Sequence, residues 1–335
     1  MLLVLAAGTG ATMRAAERIE IAWPTANRAF LERRPLEDFI QPTESGETAS
    51  GLFGCVRTNG TQFNEALDLK PIQRDRAGEA TDPVFAVLDG VVRHVSQRPG
   101  ESSYGRYIVL EHTEQLPAVY TLYAHLRSID PAVQVGQNVR RSQQLGIMGR
   151  SAGGYTIPKE RAHLHFEIGL RLTDRFQSWY DWKEFGNRNQ HGIWNGMNLV
   201  GIDPLEFYTQ FRDRQVDHFT DYLRRIPIAL RIQIATTVEP DFVRRYPELL
   251  TRPAPLAGLA GWEVAFTVYG VPTAWTPLSE AEVAGFQANE VRVVSTTDDL
   301  LRACRCKDLV TRTRSGPRPA RDLQTLLQLL FGLRR

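Results

Sequence analysis

The apolar residues of this chain fall into two rhythms. Across residues 51–170 they come in short runs with the period of two that belongs to strands. Val84 to Val95, Tyr107 to His112 and Val119 to Leu126 are rich in β-branched and aromatic residues and are separated by glycine turns. Tyr123 and His125 fall on one face of the third run. Asp89-Gly90, between apolar runs, reads as a hairpin turn. The expected fold class is mainly β, an antiparallel sheet, curled or sandwich-like.

The rest of the chain reads differently. Residues 17–50 form an irregular arm, broken by Pro24, Pro35 and Pro42. Residues 171–229 hold an extension crowded with Phe176, Trp179, Tyr180, Trp182, Phe185 and Trp194, followed by a helix over 209–229 that ends near Pro227. The aromatics either cover the sheet or form a groove wall. Residues 230–335 read as a small α+β module. Its strands are expected at Ile228–Val238, Trp262–Tyr269 and Glu290–Ser295, and its helices at Asp241–Leu250 and Ser279–Ala288. After the break at Ser315–Pro319, Leu323, Leu326, Leu327 and Leu330 fall on one face of a final helix, the pattern of core packing.

Composition narrows the function classes. With 42% hydrophobic and 23% charged residues the chain is ordinary for a globular protein. A net charge of +2 gives no broad basic field for nucleic acid. No run approaches the roughly 18 apolar residues that cross a bilayer. Residues 1–16, with Leu2-Leu3-Val4-Leu5-Ala6-Ala7, form a signal-like segment without a preceding basic residue. Cys55, Cys304 and Cys306 are too few for a disulfide scaffold, and their odd number leaves at least one thiol unpaired. Cys304-Arg305-Cys306 reads as structural.

The chemistry concentrates at Ala162-His163-Leu164-His165-Phe166-Glu167-Ile168. A strand would project both imidazoles from one face. Imidazole is the commonest metal ligand and the commonest general base near neutral pH. Two at this spacing can serve one site as ligand and base. His94, His112, His191 and His218 lack such a setting and read as surface or satisfied core residues.

An ordered series of motifs surrounds that pair. Phe53-Gly54-Cys55-Val56-Arg57 comes first, then Pro83 to Val92 and Tyr104 to His112. Thr121-Leu122-Tyr123-Ala124-His125-Leu126, Val135 to Val139, Leu145 to Gly153 and His163 to Glu167 follow. Taken together, residues 51–170 resemble the core of the M23 family of zinc metallopeptidases, the lysostaphin- and LytM-like endopeptidases of peptidoglycan. The resemblance implies zinc as cofactor, with His165 and Asp68 as metal ligands and His125 and His163 as the catalytic pair. The family's first ligand histidine lies in a His-x-Gly-x-Asp pattern. Here that run is Asn64-Glu65-Ala66-Leu67-Asp68, so Asn64 occupies a substituted ligand position. A neutral amide oxygen suits zinc less well than imidazole.

Two functions follow from the resemblance. The first is a zinc-dependent endopeptidase acting on cell-wall peptides with weakened metal binding. The alternative is an inactive module of the same fold that binds peptidoglycan or regulates another wall hydrolase. A purely structural envelope protein is a third. Each implies the cell envelope or secretion, the periplasm foremost, with a peptidoglycan peptide or a wall enzyme as partner.

Overall fold

The computed structural model describes residues 17–253 and 257–334; the signal-like segment at 1–16 lies outside the described residues. A hairpin of β1 (Gly54–Arg57) and β2 (Gln62–Asn64) leads into β3 (Leu67–Leu69) and β4 (Pro83–Phe85). Then come β5 (Gly90–Ser96), β6 (Tyr107–His112), β7 (Val119–Ala124) and β8 (Ser128–Ile129). β9 (Asn138–Val139), β10 (Gln144–Ile147), β11 (Leu164–Arg171) and β12 (Leu199–Ile202) follow. The main sheet is antiparallel and runs β12-β11-β7-β6-β5-β9. β3 pairs with the start of β11 and β12 with its end. β4, β10 and β8 form a smaller sheet. The fold is mainly β, as the alternation predicts.

That alternation sorts the side chains. Leu164, Phe166, Ile168 and Leu170 of β11 join Ile108, Leu110 and Tyr123 in the principal core. On the other face Tyr107, Val109, Tyr120, Leu122 and Ala124 pack with Trp194. Each fully buried large apolar side chain contributes roughly 1.5–3 kcal/mol, so the sheet is held from both sides. Phe176, Trp179, Tyr180 and Trp194 are buried, which fits the first of the two roles open to the aromatic extension, whereas Phe185 is exposed.

Several local expectations change. Asp89-Gly90 is not a hairpin turn: β4 pairs with β10 and β5 with β6, so the chain changes sheets there. Gly90 is needed for close approach, since a Cβ would lie 2.5 Å from His112 Nδ1. α1 spans Phe176–Lys183. The helix expected over 209–229 is two, α2 (Pro204–Arg212) and α3 (Phe219–Arg225). Asp203 caps α2 ahead of Pro204, and Arg214 turns the chain with a φ of +58°.

Beyond these lie β13 (Ile228–Ile234), α4 (Asp241–Arg245), β14 (Gly261–Thr267), β15 (Pro272–Leu278) and β16 (Val291–Thr296). α5 (Asp298–Ala303), β17 (Val310–Thr313), β18 (Gly316–Pro319) and α6 (Arg321–Phe331) complete the order. β15, α5, β17 and β18 are additions to the sequence reading, and β18 pairs with β17 where a break was expected at Ser315–Pro319. Residues 279–288 form turns and not a helix: the Glu282 carboxylate holds Ser279 N–H, and Gly285 has a φ of +80°. The leucine stripe of α6 is buried as expected.

Candidate active site

The register of β11 assembles the site. His165 lies opposite Asp68 of β3 on one side and Ala124 of β7 on the other. Residues facing each other across an antiparallel pair share a face, so Asp68 and His165 emerge together. His165 Nδ1 is 3.0 Å from Asp68 Oδ1, and its Nε2 is 3.2 Å from Glu167 Oε1. Glu167, two residues on and therefore on the same face, also accepts from Tyr120 Oη at 2.8 Å.

His163 precedes β11 and is tied by a bridge to Gly149. Its Nδ1 donates to the Arg161 carbonyl at 2.7 Å, and its Nε2 is 3.8 Å from Asp68 Oδ1. His125 reaches the same place by another route. Alternation predicts a strand face shared with Tyr123, but β7 ends at Ala124 and His125 has a φ of +60°. This left-handed residue turns the ring away from the core, where the Tyr123 hydroxyl accepts from Val87 N–H and the Thr121 hydroxyl. His125 Nδ1 donates to the Ser151 carbonyl at 2.8 Å. The His125 ring lies 4.7 Å from that of His163 and 5.5 Å from that of His165. Ligand atoms of the three histidines all lie within 4.8 Å of one another.

Asn64 ends β2, directly across the hairpin from Gly54, and is fully buried. Its Nδ2 donates to the Leu52 carbonyl at 2.8 Å and to the Ala66 carbonyl at 3.0 Å. These acceptors fix the amide's orientation. Its Oδ1 is buried with no hydrogen-bond partner among the described residues. Arg57 Nη2 sits 2.5 Å from Asp68 Oδ2.

Burial disfavours charge on every one of these groups, and neighbours decide which keep it. Asp68 is held well below the usual carboxylate range because His163, His165 and Arg57 outweigh its burial. His165 is buried too, yet its bonds to Asp68 and Glu167 raise it to about 9. His125 and His163 are pushed down by burial and stay neutral. Since Nδ1 of each donates to a carbonyl, Nε2 of each carries the free lone pair. Arg57, Asp68, His125 and His163 line a cleft of about 630 Å³, with Pro42 to Ser45 of the N-terminal arm as one wall.

Asn64, Asp68 and His165 do not together make the three-ligand zinc set that the resemblance implies. Asp68 and His165 stand together, but Asp68 carries a guanidinium on its second oxygen. The one donor left at position 64 is an amide oxygen, a poor partner for zinc. His112 does not fill the gap: it is buried at the far end of β6, bonded to the Asp89 carbonyl and the Thr121 hydroxyl. Arg57, Glu167 and Ser151 are site residues that sequence reasoning left without a role. Glu167 was within reach, because period two places it beside His163 and His165.

Residues 74–175 match Peptidase family M23. The matched segment contains His125, His163 and His165 and begins after Asn64 and Asp68. Among solved structures, a zinc-containing peptidase from Vibrio cholerae is 24% identical, with 46% of this chain and 34% of that one covered and a TM-score of 0.24. The chain therefore spans about a third of that peptidase. The catalytic domain of the prophage-encoded M23 protein EnpA from Enterococcus faecalis, in a mutant form, is 18% identical, covering 39% and 79% with a TM-score of 0.28. The catalytic domain of the antimicrobial peptidase lysostaphin from Staphylococcus simulans is also 18% identical, covering 52% and 95% with a TM-score of 0.31. No curated protein matches the chain significantly in sequence.

Proposed function

We propose that the M23 peptidase segment of this chain serves as a non-hydrolytic module of the cell envelope, whose cleft binds a peptide of the peptidoglycan class. One observation carries the reading: the Asp68 carboxylate already has its positive partner within the chain. Arg57 supplies to Asp68 the positive charge that a metal would otherwise bring. The Asn64 amide nitrogen is committed to two main-chain carbonyls, which leaves position 64 only a neutral oxygen to offer. Such a cluster is stable without a cation, because each buried charge has a partner. The neutral His125 and His163 then act as acceptors in the cleft, through Nε2, for the N–H groups of a bound peptide. Regulation of a wall hydrolase by the same cleft is compatible with this role.

One observation favours the second reading, a weak zinc endopeptidase. The three histidines could surround a cation together, since their ligand atoms lie so close. Purified protein incubated with isolated peptidoglycan separates the two. The binding module co-sediments with the wall material with or without a chelator and releases no soluble peptides. Chelator-sensitive release of fragments overturns it in favour of the enzyme.

A further inference from the structure

Three sulfurs meet on the side of β1 away from any role assigned above. Cys55 and Cys306 form a disulfide, and the free thiol of Cys304 lies 3.2 Å from Cys55 Sγ. We propose that this trio is a thiol–disulfide exchange site, in which Cys304 and Cys306 alternate as partners of Cys55. In the exchange step the Cys304 thiolate attacks Cys55 Sγ. The Cys55–Cys304 bond forms as the Cys55–Cys306 bond breaks, and the electron pair leaves on Cys306 Sγ, which takes up the proton that Cys304 gave to solvent. No oxidant or reductant is consumed.

The surroundings favour the step. Reacting atoms 3–3.5 Å apart are in attack range, and the free thiol is inside it. A disulfide bond of about 2.05 Å is then little more than an ångström of sulfur movement away. The Cys304 thiol donates to the Val268 carbonyl at 3.8 Å, and the backbone of Cys306 and Lys307 and the Lys307 charge favour its thiolate once it ionises. Burial works against ionisation and holds this thiol above its ordinary value, so exchange accelerates as the solution becomes alkaline. All three cysteines are half-buried and within reach of small reagents. Segment 304–307 is also fastened to the hairpin without sulfur, through Arg305 Nη1 on the Asn59 carbonyl and Lys307 over the Phe63 ring. The hairpin therefore keeps its partner in both isomers, and only the identity of the free thiol changes.

The experiment maps disulfides. The native protein is held at mildly alkaline pH, alkylated, acid-quenched and digested for mass spectrometry. Both Cys55–Cys306 and Cys55–Cys304 peptides are expected, with label on both Cys304 and Cys306. In Cys304→Ser the second connectivity and all labelling should be lost. Cys306→Ser, folded under oxidising conditions, should close Cys55–Cys304. Label on Cys304 alone in the native protein, or Cys55 and Cys304 both reduced in Cys306→Ser, overturns the proposal.

Discussion

Asn64 and Arg57 carry the functional argument at the scale of single residues, and each can be tested by substitution. If Asp68 and His165 remain preorganised, Asn64→His should raise zinc affinity by at least about tenfold, or about 1.4 kcal/mol. Titration calorimetry of wild type and variant checks this, and no gain in affinity would mean that position 64 does not face the metal. Ala66 stands where the resemblance implies a glycine, yet it is not among the left-handed residues, so the repair should not need Ala66→Gly. Arg57→Ala tests the other half. It leaves the buried Asp68 carboxylate short of a partner and should cost about 1–3 kcal/mol in urea unfolding.

At the scale of elements, the site depends on where strands stop. β7 ends one residue before His125, and the loop after β10 places the Ser151 carbonyl to receive the imidazole N–H. Gly105 makes that packing feasible: its φ is +65°, and a Cβ there would lie 2.1 Å from the Ser151 carbonyl oxygen. Gly105→Ala should therefore destabilise the protein by more than about 1 kcal/mol and shift the His125 ring resonances, both visible by melting curves and NMR. His112 gives the strand pair β6–β7 a pH dependence. Burial lowers it from 6.5 to about 4, while both its nitrogens are bonded. Between those values the unfolded chain binds more protons than the folded one, so stability falls as pH drops from about 6.5 to about 4. The full loss amounts to about 3 kcal/mol. Denaturant unfolding at pH 7 and pH 5 should show the start of this decline, and His112→Gln should make it shallower, leaving the share of the other histidines that burial lowers.

For the whole molecule, the C-terminal elements and the sheet share one continuous core, which contains Leu323 of α6 as well as Phe166 of β11. The Cys55–Cys306 disulfide links residues 251 apart in sequence. Closing so long a loop restricts the unfolded chain, and Cys55→Ser should cost about 2–5 kcal/mol by chemical denaturation. Cys306→Ser should cost less, because Cys304 can take the vacated place. Among the described residues no helix is long and apolar enough to cross a membrane.

Period-two runs such as Tyr107 to His112 determined the strands, because alternation is a local property that burial of one face enforces. The same runs, with the ordered motifs, carried the resemblance to the M23 core, which the match over residues 74–175 supports. The leucine spacing of α6 determined its buried face in the same way. Other features required the tertiary structure. Asp89-Gly90 is a hairpin signal by local chemistry, but the pairing of β4 with β10 is a long-range choice. His125 changes faces through one left-handed residue, which no spacing rule registers. Arg57 and Asp68 are close only because the β1–β2 hairpin and β3, which belong to different sheets, are brought together in the fold. Cys306 finds Cys55 across most of the chain. The division follows range: periodicity records what each segment must bury, whereas charge pairing and disulfide choice depend on which distant segments the core has already brought together.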